Sequence, residues 1–322
     1  MTADGALLLA SAAAFAVVSG ANDGATLVAV GTRTRAIRPT AGIAIMMLMV
    51  AIGPLLIGTA VATTLVHRLV SFGSGEGKLA LLAAVVTALV VVLALSWRGR
   101  PTSLTLALTG GIVGAGIGAR LPVQWPVVAK VLLIGLAAPL LSIPAGWLVY
   151  QALRGSLGRL VARRFIRVTQ YVGFTLQCLA YSANDAQKMV AIVAIGTSAQ
   201  LNPVAATVGG ELTIAVLFGI GILLTVRVMA TRVGEAVMYI RPPHFIATSI
   251  GSSVVVLATS ALGVPVSSIQ AATGATVGSG LATSPFSIRW NEVSRIGLAW
   301  AITLPLSVGV AAALAAIGRF VH

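Results

Sequence analysis

Two Asn-Asp pairs lie inside hydrophobic stretches, Asn22-Asp23 in SGANDGAT and Asn184-Asp185 in YSANDAQKM, about half a chain apart. A charged residue at the centre of a membrane helix costs about 2.5–3.5 kcal/mol on insertion scales. A chain that carries this cost twice, in the same local context, points to a duplicated ion- or substrate-binding site. A carboxylate at mid-membrane coordinates Na+ as a hard oxygen ligand, or takes up a proton where the dielectric is low. The neighbouring Asn adds a carbonyl oxygen and an amide donor. Gly24, Ala25 and Thr26 after the first pair are small enough to let the backbone open or approach a ligand. The plainer reading, an Asp capping a helix end at the interface, is weakened by the duplication. Lys188 follows Asp185 by three residues and faces it across one helical turn. It serves either to neutralise Asp185 or to help hold an anion.

A second constellation is also duplicated. Arg100-Pro101-Thr102-Ser103-Leu104-Thr105 is echoed by Val264-Pro265-Val266-Ser267-Ser268. Proline at the first helical position followed by hydroxyl residues marks a helix start. Behind each start runs a glycine-spaced helix, with Gly110, Gly114 and Gly118 in the first copy and Gly274 and Gly278 in the second. Glycines four apart form a close-packing face in membranes. A helix N-terminus offers free N–H groups and a partial positive charge, suited to an oxyanion. Two such starts meeting near the midplane, flanked by hydroxyls, would cradle a tetrahedral anion.

Elements of membrane-spanning length must position these groups. The 322 residues are 58% hydrophobic and only 9% charged, with a mean hydropathy of +1.02. A soluble domain carries about 25% charged residues, so this is an all-α polytopic membrane protein. Apolar spans of the required length fall near 6–31, 41–64, 79–97, 102–118 and 127–150 in one half. In the other they fall near 169–197, 204–226, 244–262, 265–281 and 294–318. Gly, Pro and polar interruptions mark broken helices or re-entrant pairs, which would raise the count from ten to twelve. The first apolar stretch lacks a basic leader, carries Asp4 and runs straight into Asn22-Asp23, so it reads as a span rather than a signal peptide. The lone Cys178 excludes an internal disulfide and reads as apolar filler.

The repeat orders everything else. Asn22-Asp23 recurs 162 positions on, Pro101-Thr102-Ser103 and Thr109-Gly110 recur at 164, Trp125 at 165 and Pro139 at 166. The expected organisation is a first transmembrane repeat over 1–153, a basic cytoplasmic linker over 154–168, and a second repeat over 169–322. Five spans per repeat, an odd number, invert the second copy relative to the membrane, and alternating access follows from such a pair. The formal net charge of +14 sits mostly in short loops. Arg154, Arg159, Arg163, Arg164 and Arg167 form the densest group. If that group is cytoplasmic, Arg33, Arg35, Arg38, Arg98, Arg100, Arg227, Arg232, Arg241, Arg289 and Arg295 share its side. Most of the 21 basic residues then lie inside, and both termini lie outside the cytoplasm of a cell membrane, such as a bacterial inner membrane. The basic charge therefore reads as a topology signal toward lipid, with no nucleic-acid module. Glu211 lies within a span, where it pairs with Lys188 or joins a translocation path. Glu235, Glu292, His67, His244 and His322 fall at loops or span ends.

These motifs carry a resemblance. GANDGAT at Gly20–Thr26 is similar to the G-x-N-D-x-A-N element of the inorganic phosphate transporter (PiT) family, and ANDAQKM at Ala183–Met189 to its G-A-N-D-A-Q-K-T-M element. The Pro101 and Pro265 segments resemble its P-V-S-T-T-H repeats, over nearly the whole chain. The resemblance implies an inverted-repeat permease, not an enzyme, that imports inorganic phosphate with Na+ or H+ and needs no other cofactor. By motif position, Asn22, Asp23, Thr26, Asn184 and Asp185 would bind the cation, with Asp23 and Asp185 the sodium ligands if Na+ is the coupling ion. Thr102, Ser103, Thr105, Ser267 and Ser268 would bind phosphate, with Gln187 and Lys188 close by. A homodimer is compatible with these motifs. The chain also departs from the pattern. Leu106 and Gln270 replace both histidines, Leu104 and Ile269 replace hydroxyls, Thr26 replaces an Asn, and Ala183 replaces a Gly. These changes bear on which oxyanion is carried, so sulfate or another tetrahedral anion is the alternative cargo. An intramembrane aspartyl protease also uses two aspartates on separate spans, but it needs a Gly-x-Gly-Asp element that this chain lacks.

Overall fold

The structure, a computed structural model, describes residues 3–72, 75–97, 102–157, 163–196, 208–232 and 237–321. Arg98, Arg100, Pro101, Arg159, Glu235 and His322, the loop 197–207, and the middle of the basic linker lie outside the described residues. Among those described, the protein is helical, with one isolated antiparallel bridge between Val70 and Val123. Helix α1 (Ala3–Ser19) runs through a π-helical turn at Gly20–Gly24 into α2 (Ala25–Arg33). Next come α3 (Pro39–Ile57), the short α4 (Ala60–Thr63) with a π-turn at Thr64–Arg68, α5 (Gly75–Trp97), α6 (Leu104–Gly118) and α7 (Trp125–Leu157). Helix α8 (Arg163–Tyr181) passes through a π-turn at Ser182–Ala186 into α9 (Gln187–Gly196). Helices α10 (Val208–Arg232), α11 (Pro242–Ala261), α12 (Ser268–Leu281) and α13 (Trp290–Val321) complete the chain.

Among the described residues, seven helical stretches are long and apolar enough to cross a membrane: Gly5–Arg33, Pro39–Ile57, Gly77–Ser96, Trp125–Arg154, Gly209–Thr231, Pro242–Ala261 and Trp290–Arg319. They present exposed leucines such as Leu133, Leu140, Leu223 and Leu298 outward, as a lipid-facing surface does. Helices α6 and α12 are different. At 15 and 14 residues and 1.5 Å rise, each is about 21–23 Å long, short of the roughly 30 Å hydrocarbon core. Both are almost wholly buried, and their starts, at Ser103 and Ser267, lie within protein. The expected span 41–64 is interrupted: α3 stops at Gly58, which adopts φ +88°, and the chain restarts as α4.

The glycine rows explain how the short helices are buried. A Cβ at Gly110 would lie 2.8 Å from the Leu304 carbonyl oxygen, and one at Gly114 would lie 2.8 Å from the Val308 Cα; both neighbours are on α13. On α12, Gly274 and Gly278 press in the same way against Pro139 and Ile143 of α7. Each short helix is thus covered by the last helix of the other half of the chain. A methyl group at Gly114 or Gly278 has no room, whereas at Gly309 it meets nothing within 4 Å. Gly114→Ala and Gly278→Ala should each destabilise the protein by about 1–3 kcal/mol. Gly309→Ala should be neutral or stabilising, by up to about 1 kcal/mol. Thermal unfolding of the three purified variants in detergent checks the contrast.

Candidate functional site

Both Asn-Asp pairs fall inside π-helical turns, Gly20–Gly24 and Ser182–Ala186. A π-turn inserts one residue into the helix, loosens the hydrogen-bond ladder and turns side chains off the regular helical face; such bulges recur at functional sites. The small residues around the pairs have a packing reason. Gly20 and Gly24 lie against Phe218 of α10, and Gly53 of α3 lies against Ser182 in the equivalent place of the second copy.

The two short helices begin alike. Ser103 (φ −105°, ψ 116°) accepts from the Leu106 N–H at 3.2 Å, and Ser267 (φ −97°, ψ 116°) accepts from the Gln270 N–H at 3.4 Å. Both are N-caps that satisfy one of the free donors at a helix start. The two starts meet: Thr105 Oγ1 lies 3.2 Å from the Val266 carbonyl oxygen and 3.3 Å from Asp185 Oδ1. Asn184 clamps the unwound chain before α12. Its Nδ2 donates to the Val264 carbonyl (3.2 Å) and to Ser260 Oγ (2.9 Å), while its Oδ1 accepts the Val266 N–H (3.0 Å). Asn184 therefore spends its amide on holding backbone, beside whatever the expected cation site demands.

Asp185 is the centre of the cluster. Ser268 Oγ donates to its Oδ2, and Lys188 Nζ forms an ion pair with its Oδ1. Lys188 Nζ also donates to Thr105 Oγ1 (2.6 Å) and to the Val266 carbonyl (3.0 Å). Asp185 is 5% exposed and Lys188 only 2%. Asp23 is equally buried, yet among the described residues its hydrogen-bond donor is Asn22 Nδ2 alone, at 2.7 Å. It lies within electrostatic reach of both Asp185 and Lys188. Thr26 turns its hydroxyl onto the Asn22 carbonyl (2.6 Å).

Other expected site residues are placed apart from this cluster. Thr102 shares a hydrogen bond with Thr303 of α13 (2.6 Å). Gln187 Oε1 accepts the Val61 and Ala62 N–H groups (2.8 and 3.2 Å), so it caps α4 after the Gly58 break, and its Nε2 donates to the Ala183 carbonyl (2.6 Å). Neither hydroxyl nor amide is aimed at an anion. Glu211 does not pair with Lys188; both its carboxylate oxygens are buried with no partner among the described residues. Sequence reasoning missed the Val266 carbonyl and the buried Tyr181 hydroxyl, which has no hydrogen-bond partner among the described residues, feels both aspartates, and belongs to a ring packed on Phe218 at 5.5 Å. Tyr181 precedes Asn184 by three residues, a spacing that placed it on the same helix face, but a lone aromatic in an apolar span gave no reason to choose it.

Space around the cluster is limited. Between the two helix starts lies a cavity of about 10 Å³ lined by Thr105, Thr109, Ser267 and Gln270, room for about one water. Admitting a tetrahedral anion therefore requires the starts to move apart. A larger groove of about 420 Å³ between α5 and α13 is walled by Leu79, Leu82, Val86 and Leu314, far from any of these groups. Asp185 is committed to Lys188 and two hydroxyls, which is unlike a carboxylate pair sharing one proton for peptide hydrolysis.

The sequence model of the phosphate transporter family matches this chain over residues 19–161 and 158–311. A probable low-affinity inorganic phosphate transporter of Mycobacterium tuberculosis is 31% identical over 320 residues, 94% of this chain and 74% of the relative. One of Mycobacterium leprae is 32% identical over 325 residues (95% and 76%), and one of Bacillus subtilis is 26% identical over 326 (98% and 96%). Among solved structures, one described as the sodium-dependent phosphate transporter shares this fold with a TM-score of 0.82 over the whole of both chains, at 18% identity. This helical membrane protein belongs to the phosphate transporter family.

Proposed function

We propose that the protein imports inorganic phosphate across the cell membrane by alternating access, coupled to a cation. The observation that carries this reading is the meeting of two serine-capped half-length helices, Thr105 of one against Val266 of the other. Helix starts inside the membrane give free N–H groups and positive dipole ends where an oxyanion would sit. Ser103, Thr105, Ser267 and Ser268 are the hydroxyls at these starts and are proposed as the phosphate ligands, with Lys188 as the nearby positive charge. Gln187 supports the backbone behind them, and Thr102 ties the start of α6 to Thr303 of α13.

Asp23 is proposed as the principal seat of the coupling cation, with Asn22 and backbone carbonyls of the π-turn as further oxygen ligands. Its buried carboxylate has one neutral donor, and leaving such a charge uncompensated costs several kcal/mol. The sodium dependence named for the structural relative favours Na+ over H+. The halves 1–153 and 169–322 are read as an inverted pair joined by a basic cytoplasmic linker. In support, π-turns, capped helices and glycine rows recur in the same order. The arginine distribution then puts both termini outside the cytoplasm.

Uptake of radiolabelled phosphate into proteoliposomes, with Na+ and pH gradients imposed separately, tests the reading. Uptake should follow the Na+ gradient and resist excess sulfate. Accumulation of sulfate instead would assign the missing histidines and hydroxyls to a change of cargo. Asp23→Asn should lower uptake about ten- to hundredfold, as expected when one charged contact of about 1.5–3 kcal/mol is removed, while the protein still folds because the uncompensated charge is gone. Ser103→Ala and Ser267→Ala should each cost about 1 kcal/mol of stability as lost caps, read by thermal unfolding, and should also weaken phosphate binding.

A further inference from the structure

The offset that relates the two Asn-Asp pairs also relates Thr26 to Lys188, 162 positions on. Equivalent places in the two copies therefore carry a neutral hydroxyl in one and a cation in the other. Thr26 turns away to the Asn22 carbonyl and leaves Asp23 without a counter-charge of its own. Lys188 does the reverse. Its ammonium has three N–H donors, and three oxygens receive them: the Asp185 carboxylate, the Thr105 hydroxyl and the Val266 carbonyl. A carboxylate, a hydroxyl and a backbone carbonyl converging from separate elements form the donor set of a hard-cation site. Here the cation is part of the chain.

The approaches to the two places differ in the same sense. Beside Thr26, one turn from Asp23, is a cavity of about 70 Å³ whose walls include Gln177, Thr248, Thr273 and Thr276. Beside Lys188 the cavity is about 10 Å³, walled by Leu65, Leu108, Ile112 and Ile192. Thr276 and Ile112 are themselves repeat equivalents, 164 positions apart. A free ion has a wider approach near Asp23, with hydroxyls and an amide in its walls, than near Asp185, where the cavities beside Lys188 and Thr105 are each about 10 Å³. A lysine, delivered with the fold, needs no approach.

We propose that Lys188 is a tethered cation: its ammonium occupies the cation seat on Asp185, so that an exchangeable cation binds at the Asp23 side alone. The two Asn-Asp pairs then supply one exchangeable coupling ion rather than two. This rests on the transport reading only in calling that ion the coupling ion; occupancy of the seat is measurable without transport.

The test is thermal unfolding of the purified full chain in detergent, titrated with NaCl or methylammonium chloride against choline chloride at constant ionic strength. A ligand that binds the folded state raises Tm in a saturable way. Lys188→Ala should gain a saturable response to methylammonium that wild type lacks, or a second saturable Na+ response beyond the one at Asp23. Adding Asp185→Asn should abolish the new response, and Lys188→Met, which fills the space with an apolar chain, should not show it. In Asp23→Asn, with Lys188 intact, no saturable Na+ response should remain. A folded Lys188→Ala protein without a new response would overturn the proposal. So would a Na+ response that persists in Asp23→Asn and disappears when Asp185→Asn is added. If Lys188→Ala cannot be purified, the Asp23→Asn titrations decide alone. Phosphate uptake by wild-type proteoliposomes is a separate readout: its absence would overturn the transport reading and leave these titrations intact.

Discussion

Inside a membrane no water is at hand to satisfy a peptide group, so any backbone that leaves its helix must find a partner in the protein. This constraint governs the molecule. Two helices begin within the protein interior and a third stops at Gly58, so N–H and C=O groups are released at depth in several places. Each is met by a specific side chain. Ser103 and Ser267 cap their own helices, Gln187 supplies its amide oxygen to the start of α4, and Asn184 brackets the unwound stretch from Val264 to Val266. The polar residues that mark the chain as a transporter thus have two tasks at once. Those that hold backbone fix the geometry, and those left over, Asp23 above all, keep hydrogen-bonding capacity unspent.

The duplicated features were legible because each is a local string. A Pro followed by hydroxyls predicts a helix start, and a helix does begin in each string. The serine caps it, however, and α12 starts three residues after Pro265 rather than at the proline. Glycines four apart predict a packing face, and both rows carry one. The Lys188–Asp185 pair follows from a three-residue spacing on a helix. The remainder depends on partners far away in the chain. Nothing near Gln187 says that it caps residues 61 and 62, and nothing near Thr102 says that Thr303 waits for it. The motif resemblance placed Thr102 and Gln187 beside the anion, and the geometry gives both of them backbone or cross-helix duties. The π-turns were illegible for another reason. A one-residue insertion in a helical ladder leaves no trace in an apolar pattern that stays apolar on every side.

The two halves are copies in order and unlike in chemistry. Where the first copy has Phe15, Ala84, Val85 and Ile112, the second has Gln177, Thr248, Ser249 and Thr276 at equivalent places, all of them buried. One seam is dry and the other is lined with hydroxyls and an amide, joined by Thr248–Thr276 and Ser249–Gln177 hydrogen bonds. Dispersion between well-packed apolar chains resists hydration, while a seam of hydroxyls exchanges its internal hydrogen bonds for water at little net cost. Separating the hydroxyl-lined seam would therefore cost less than separating the apolar one.

The glycine rows place α6 under α13 and α12 under α7, so each half hands its short helix to the closing helix of the other. The units that are solid in space are accordingly not the units that repeat in sequence. Each of these packed pairs, α6 with α13 and α12 with α7, is drawn from both copies. A half produced alone would expose a strip of glycines cut to fit a helix it does not own. The repeat is read in the order of the sequence, but the packing does not divide along it.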